Sequence, residues 1–139
     1  MAEASARRPA AGGVGIESVA PLSPADGAGI RPGDRVLDAC AAPGGKATHI
    51  AALVGGSTPV VALDRNPGGI GRLRREAARV GARVEPVVGD ARQPPTARPF
   101  DAVLLDAPCS GLGTLRRHPE VRWRRRPEDV SRLAVLQQE

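Results

Sequence analysis

From position 31 onward, four short apolar runs alternate with amphipathic or loop-like stretches. Arg35 to Ala39, Pro59 to Leu63, Arg83 to Val88 and Phe100 to Leu105 each have strand length. Asp38, Asp64, Asp90 and Asp106 stand at or just past the ends of these runs. Between the first two runs, Ala47 to Val54 reads as a helix with Ile50, Leu53 and Val54 on one face, stopped by Gly55-Gly56. Between the second and third, Asn66 is a natural N-cap and Pro67 a natural first helical residue. Ile70, Leu73, Ala77 and Val80 then follow helical spacing up to Gly81, a C′ residue. Arg92 to Pro99 is a loop. Strand, helix, strand, helix, strand, connection, strand predicts an α/β domain with a parallel sheet.

The flanks are patterned differently. Residues 1–30 are rich in Ala, Gly, Pro and Ser, and only Val14, Ile16 and Val19 suggest a short strand in what is otherwise a loop or disordered arm. After the fourth run, six arginines fall between Arg116 and Arg126 with only Glu120 against them. Pro127 then opens a helix, with Glu128 and Asp129 in its first turn and an apolar stripe of Val130, Leu133, Ala134 and Leu136.

A chain of 139 residues bounds the fold at one domain. With one Phe, one Trp and no Tyr, the core must rest on Val, Leu and Ile. The 17 Gly and 14 Pro are many, but the apolar runs exclude wholesale disorder. The net charge is 20 − 15 = +5, and the single Lys, Lys46, stands among nineteen Arg. A basic surface serves either solubility or a polyanionic partner. Cys40 and Cys109 do not make a disulfide framework. No segment has the length of a membrane span, and Met1 to Gly13 lacks the apolar region of a secretory signal. The expectation is a cytoplasmic protein with no membrane association.

Any one of the four aspartates serves equally well as a loop cap. Together they exceed what turns need, and carboxyl ends of strands line the ligand crevice of an open α/β sheet. Asp64 follows the second strand, 19 residues after Gly45, where an acid accepts hydrogen bonds from both hydroxyls of a ribose. Gly44-Gly45 would let a ligand approach the backbone. The loop matches neither G-x-G-x-x-G nor a P-loop, and aspartates would repel phosphate. A nucleoside cofactor without phosphates fits best.

Two longer motifs carry a specific resemblance. Asp38-Ala39-Cys40-Ala41-Ala42-Pro43-Gly44-Gly45-Lys46-Ala47-Thr48 and Leu105-Asp106-Ala107-Pro108-Cys109-Ser110-Gly111-Leu112-Gly113 resemble the Sun (Fmu/RsmB-like) family of RNA cytosine-C5 methyltransferases. Asp64-Arg65-Asn66, Gly89-Asp90-Ala91-Arg92 and Arg116-Arg117-His118-Pro119-Glu120 with Trp123 match its other motifs in order. The resemblance implies a Rossmann-like methyltransferase sheet with helices on both faces, here its first four strands in the order 3-2-1-4. The fourth strand's outer edge would be open, an aggregation liability. Residues 1–30 would be a weakly structured arm, and 31–139 a partial methyltransferase domain.

The resemblance also implies S-adenosylmethionine as cofactor and RNA, ribosomal RNA in particular, as substrate. Cys40, Ala41, Ala42, Pro43, Gly44, Gly45 and Lys46 would form the cofactor loop. Asp64 would hold the ribose, Asp90 would sit by the adenine, and Asp106 near the methionine end and the target base. In this chemistry a thiolate adds to carbon 6 of cytosine, and an acid near ring nitrogen 3 stabilises the adduct. Asp106 is placed to be that acid, and a cationic Lys46 nearby would favour a thiolate.

The family uses two cysteines. Cys109 corresponds to the one that breaks the adduct and releases product. The nucleophile belongs to a later motif, and no cysteine follows Cys109. The chain therefore reads as truncated before the nucleophile, with a non-catalytic cofactor- or RNA-binding fragment as the alternative. Cys40 reads as a small buried hydrophobe. Arg116, Arg117, Arg122, Trp123, Arg124, Arg125 and Arg126 are the candidate RNA contacts, with Trp123 either stacking on a base or packing its loop. His118 reads as a surface or loop residue. No metal is expected, and the complete protein would be a monomer.

Overall fold

A computed structural model describes residues 29–95, 98–116 and 118–139, together with the backbone of two short strands near the N-terminus. In chain order the elements are β1 (Ala4–Arg7), β2 (Ser18–Val19), β3 (Val36–Asp38), α1 (Gly45–Leu53), β4 (Val60–Asp64), α2 (Pro67–Val80), β5 (Val84–Val88) and β6 (Ala102–Leu105). A 3-10 turn (Leu112–Thr114), α3 (Val121–Arg124) and α4 (Pro127–Gln138) follow. Each of the four apolar runs becomes a strand within two residues of its expected bounds.

The sheet order is β2-β1-β6-β3-β4-β5. Its β5-β4-β3-β6 portion is parallel throughout, the expected 3-2-1-4 arrangement. The register sets Leu37 beside Val61 and Val103, and Asp38 beside Ala62 and Leu104. At the amino end, the Arg35 N–H donates to Asp101 Oδ2 (2.8 Å) and the Asp101 N–H donates back to the Arg35 carbonyl (2.9 Å). That exchange fixes where β3 and β6 begin to pair.

The outer edge of β6 is not open. β1 pairs antiparallel along it, with Ser5 opposite Leu105 and Arg7 opposite Val103, and β2 pairs with β1. An uncovered strand edge is a template for any extended segment. Ala4–Arg7 has no β-branched or large apolar residue, so hydrophobic patterning gave little sign of it. The rest of the expected arm, Val14 and Ile16 included, lies outside the described residues.

Side chains alternate between the two sheet faces. Val36, Val60, Ala102 and Leu104 pack with Ile50 and Ala51 of α1 and with Val54 that caps it, while Ala62 packs with Ile70 and Leu73 of α2. Both helices therefore cover one face. On the other, Leu37, Val61 and Leu63 meet Phe100 and Ala91 from the connection between β5 and β6. The resemblance implies helices on both faces, but α1 and α2 share one face and the other meets the connection that the sequence predicts as a loop, where Pro94, Pro95 and Pro99 deny a helical turn.

The local signals in α2 act as the sequence predicts. Asn66 Oδ1 accepts from the Gly69 N–H at 3.1 Å, and Gly81 ends the helix in the left-handed region at φ 67°. Val80, by contrast, is left half-exposed in the last turn. On α4 only Leu133 of the expected stripe is buried, and Val130 and Val135 face solvent.

These differences in burial give a testable contrast. Ile50→Ala should cost about 2–5 kcal/mol in urea unfolding, because it empties a fully enclosed site. Val130→Ala should change stability by no more than about 0.5 kcal/mol.

Candidate active site at the carboxyl edge of the sheet

Because β3, β4, β5 and β6 run parallel, their carboxyl ends share one edge, and so do the aspartates that close them. Asp38 is the most constrained. It ends β3 at 1% exposure, and neither carboxylate oxygen has a hydrogen-bond partner among the described residues. Burial is the main cause that pushes its pKa up to about 7, with the charges of Asp106 and Asp64 adding to it. Lys46 and the Cys40 N–H pull the other way, the latter without reaching hydrogen-bond geometry. The sequence marks Asp38 as one of four strand-end acids but gives no sign that its carboxylate is left unsatisfied.

Asp64 is held by backbone. Its Oδ2 accepts from the Ala42 N–H (3.0 Å) and its Oδ1 from the Asn66 N–H (2.8 Å). One carboxylate thus ties the 40–46 loop to the start of α2. A carboxylate has about four acceptor sites, so roughly two remain for a ligand.

The loop itself is anchored at its start: the Ala39 N–H donates to the Leu104 carbonyl (2.8 Å) and the Ala41 N–H to the Leu63 carbonyl (2.9 Å). Gly44 has φ 118°, and a Cβ there would lie 3.0–3.3 Å from Leu73 atoms. Packing against α2, rather than ligand approach, requires that glycine. Gly45 is different: an added Cβ would have nothing within 4 Å, so the space beside it is open.

Lys46 Nζ contacts Asp106 Oδ2 at 2.6 Å, joining the 40–46 loop to the loop after β6. The Cys40 thiol is half-buried and pushed up to about 11, first by burial and then by Asp64, Asp38 and Asp106. At neutral pH it stays protonated, in keeping with a packing role. Cys109 is half-buried in the irregular stretch that follows Asp106.

Asp90 lies on the same edge, but Arg92 grips its carboxylate. Arg92 Nε lies 3.0 Å and 3.1 Å from its two oxygens, and Nη2 lies 2.6 Å from Oδ2. Those hydrogen bonds hold the Asp90 pKa down at about 2. Arg92 Nη1 in turn reaches Glu139 Oε2 at 2.6 Å.

In the basic segment, Arg116, Arg122, Arg124 and Arg126 are exposed, and Arg117 lies outside the described residues. Trp123 is 85% exposed, which rules out the reading in which it packs the loop onto the sheet. The Arg122 guanidinium lies 5.8 Å from its ring centroid. Arg125 is exposed as well, and its Nε donates to the Ser110 carbonyl (2.9 Å). His118 Nδ1 sits 3.3 Å from Glu120 Oε1, a contact within its own loop. Among the described residues, no helix is long and apolar enough to cross a membrane, and no group of three His, Cys, Asp or Glu residues is placed to hold a metal.

A parallel 3-2-1-4 sheet with a small-residue loop after its first strand and acids along its carboxyl edge is the frame of a Rossmann-like methyltransferase. Residues 29–139 match the family described as 16S rRNA methyltransferase RsmB/F, and the chain belongs to that family. The ribosomal RNA small subunit methyltransferase B of Pectobacterium atrosepticum is 44% identical over 110 residues, covering 77% of this chain and 25% of that protein. Its counterpart in Pseudomonas syringae pv. tomato is 39% identical over 133 residues, covering 94% of this chain and 30% of that protein. The crystal structure of NSun6 from Pyrococcus horikoshii with SFG superposes with a TM-score of 0.67 at 34% identity, over 76% of this chain and 27% of that one. The chain thus spans about a quarter to a third of the length of these relatives.

The buried carboxyl of Asp38 makes stability depend on pH. Its folded pKa lies above the unfolded value of 3.8, so the folded state holds the extra proton between about pH 4 and 7. Stability from this group is complete below that window and is lost as pH rises through it. Asp38→Asn should therefore be more stable than the parent chain at pH 8, by on the order of a few kcal/mol. The difference should vanish near pH 4 in paired urea titrations.

Proposed function

We propose that this chain is the cofactor-binding part of an S-adenosylmethionine-dependent methyltransferase acting on carbon 5 of cytosine in ribosomal RNA. The observation that carries the reading is the unpartnered, buried Asp38 carboxyl beside the Lys46–Asp106 pair, on the ligand edge of a family sheet.

The residues fit that cofactor. It carries a sulfonium and an ammonium and no phosphate, so an edge closed by aspartates attracts it. Asp38 lacks the donor that an ammonium supplies. Asp64 keeps acceptor sites for a ribose, and the open space at Gly45 admits a ligand against the backbone. Asp90, already oriented by Arg92, faces the adenine in this reading. When bound, the cofactor supplies an electrophilic methyl group.

The protein's own residues then divide the remaining work. Lys46 and Asp106 meet the base, with Asp106 placed by ring nitrogen 3 of cytosine to stabilise the adduct. Cys109 opens the covalent adduct after transfer, and the cysteine that forms the adduct lies outside these 139 residues. Exposed Arg116, Arg122, Arg124, Arg126 and Trp123 meet RNA, with Arg117 alongside by sequence. Arg125 stands with them, its Nε held on the Ser110 carbonyl. The protein works in the cytoplasm, as a monomer.

Three measurements test this. Calorimetry should show S-adenosylmethionine binding to the chain, weakened at least about tenfold by Asp64→Ala, with labelled methyl transfer to rRNA absent. Unchanged affinity in the variant removes Asp64 from the site, and transfer at an ordinary rate would make Cys109 the nucleophile. Replacing Arg122, Arg124 and Arg126 together with Ala should flatten the salt dependence of RNA binding by about 0.7–0.9 per lost phosphate contact. An unaltered slope would leave these arginines as surface charge.

A further inference from the structure

Cys109 sits in a stretch, residues 106–110, with no regular secondary structure. Pro108 has no N–H to give, and Gly111 at φ 74° follows closely, so little in the local chain fixes the thiol. Lys46 engages Asp106 at the start of the stretch, and what holds it around Cys109 comes from further along. Gln137 Nε2, in the last turn of α4, donates to the Pro108 carbonyl at 2.7 Å. Arg125 Nε, between α3 and α4, donates to the Ser110 carbonyl at 2.9 Å. The two carbonyls belong to the residues immediately before and after Cys109. We propose that Arg125 and Gln137 are positioning residues that fix the Cys109 thiol by gripping the backbone on both sides of it.

The physical argument is one of conformational freedom. The Pro108 carbonyl lies in the peptide plane on the amino side of residue 109, and the Ser110 carbonyl in the plane between residues 110 and 111; anchoring both limits the swing of the short segment between them, and with it the direction of the Cys109 Cα–Cβ bond. One anchor would leave the far end of that segment free to swing. A neutral amide and a guanidinium, 12 positions apart on one arm, act as a pair of pegs. The arm that presents the basic surface is thus also the support for the Cys109 loop. The importance of this latch for product release rests on the assignment of Cys109 proposed above, whereas the latch itself does not.

The test reads the thiol directly on the 139-residue chain and needs no methyl transfer. Iodoacetamide alkylation at neutral pH is followed by mass spectrometry of the peptides holding Cys109 and Cys40, with Cys40 as internal reference. Gln137→Met and Arg125→Met keep side-chain bulk but remove the donors. Each should speed alkylation of half-buried Cys109 by about three- to tenfold, with Cys40 unchanged. Gln138→Ala and Arg132→Met, on the same helix without contacts to the loop, should leave the Cys109 rate as it is. Losing a positive charge near a thiol disfavours the thiolate and slows alkylation, so a faster rate in Arg125→Met cannot come from charge alone. The proposal is overturned if Cys109 does not quicken in either variant, if the control variants quicken it equally, or if Cys40 rises in parallel, which would mean general loosening. Failed cofactor binding alongside a Cys109-specific response would instead count against the methyltransferase reading alone.

Discussion

Pairing β3 in parallel between β4 and β6 points three strand ends, and three aspartates, at one small space. Asp38 is the one that pays for this arrangement, because its neighbours bury it before anything satisfies it. The hydrophobic clusters on both faces hold the strands in that register, and a shift of one residue would send Leu37 and Val61 to the opposite face. Core packing therefore forces an unfavourable carboxyl into place. The same packing builds the floor on which Lys46, Asp64 and Asp106 stand.

Charge is segregated along the chain in a way that its net value of +5 conceals. The carboxyl edge gathers acids, with Lys46 as the cation engaged by Asp106. The arginines of 116–126 stand on the arm that follows. Lys46 differs from its nineteen basic companions in kind. An ammonium is a compact charge that can sit against a single carboxylate oxygen, whereas a guanidinium is a planar fork suited to gripping two. Arg92 on Asp90 shows the second behaviour in the same protein, spanning both oxygens.

Much of the frame was legible in the sequence because its signals are local. Asn66-Pro67 and Gly81 bracket α2 through capping geometry, and the four apolar runs become strands, three of which supply buried Val, Leu or Ala to the core. The acids at the strand ends could be listed for the same reason. What could not be read depends on partners distant in sequence. β1 answers an edge that exists only after β6 has paired, and Ala-Ser-Ala-Arg carries no strand pattern of its own. The isolation of Asp38 is a property of what surrounds it. Gly44 resembles a ligand-approach glycine until Leu73 is seen against it. Arg125 is indistinguishable in sequence from the arginines beside it, yet it alone among them is seen bonding the Ser110 carbonyl.

Asp64 joins Ala42 to Asn66 through two backbone N–H groups. The acid assigned to a ribose is therefore also a hinge pin between a loop and a helix start. A ligand that drew electron density or geometry away from those two bonds would loosen the scaffold that recognises it. One that completed the carboxylate's remaining sites would tighten it. Under the proposed assignment, recognition at this position would be coupled to local rigidity, and occupancy would show in the order of the chain around it.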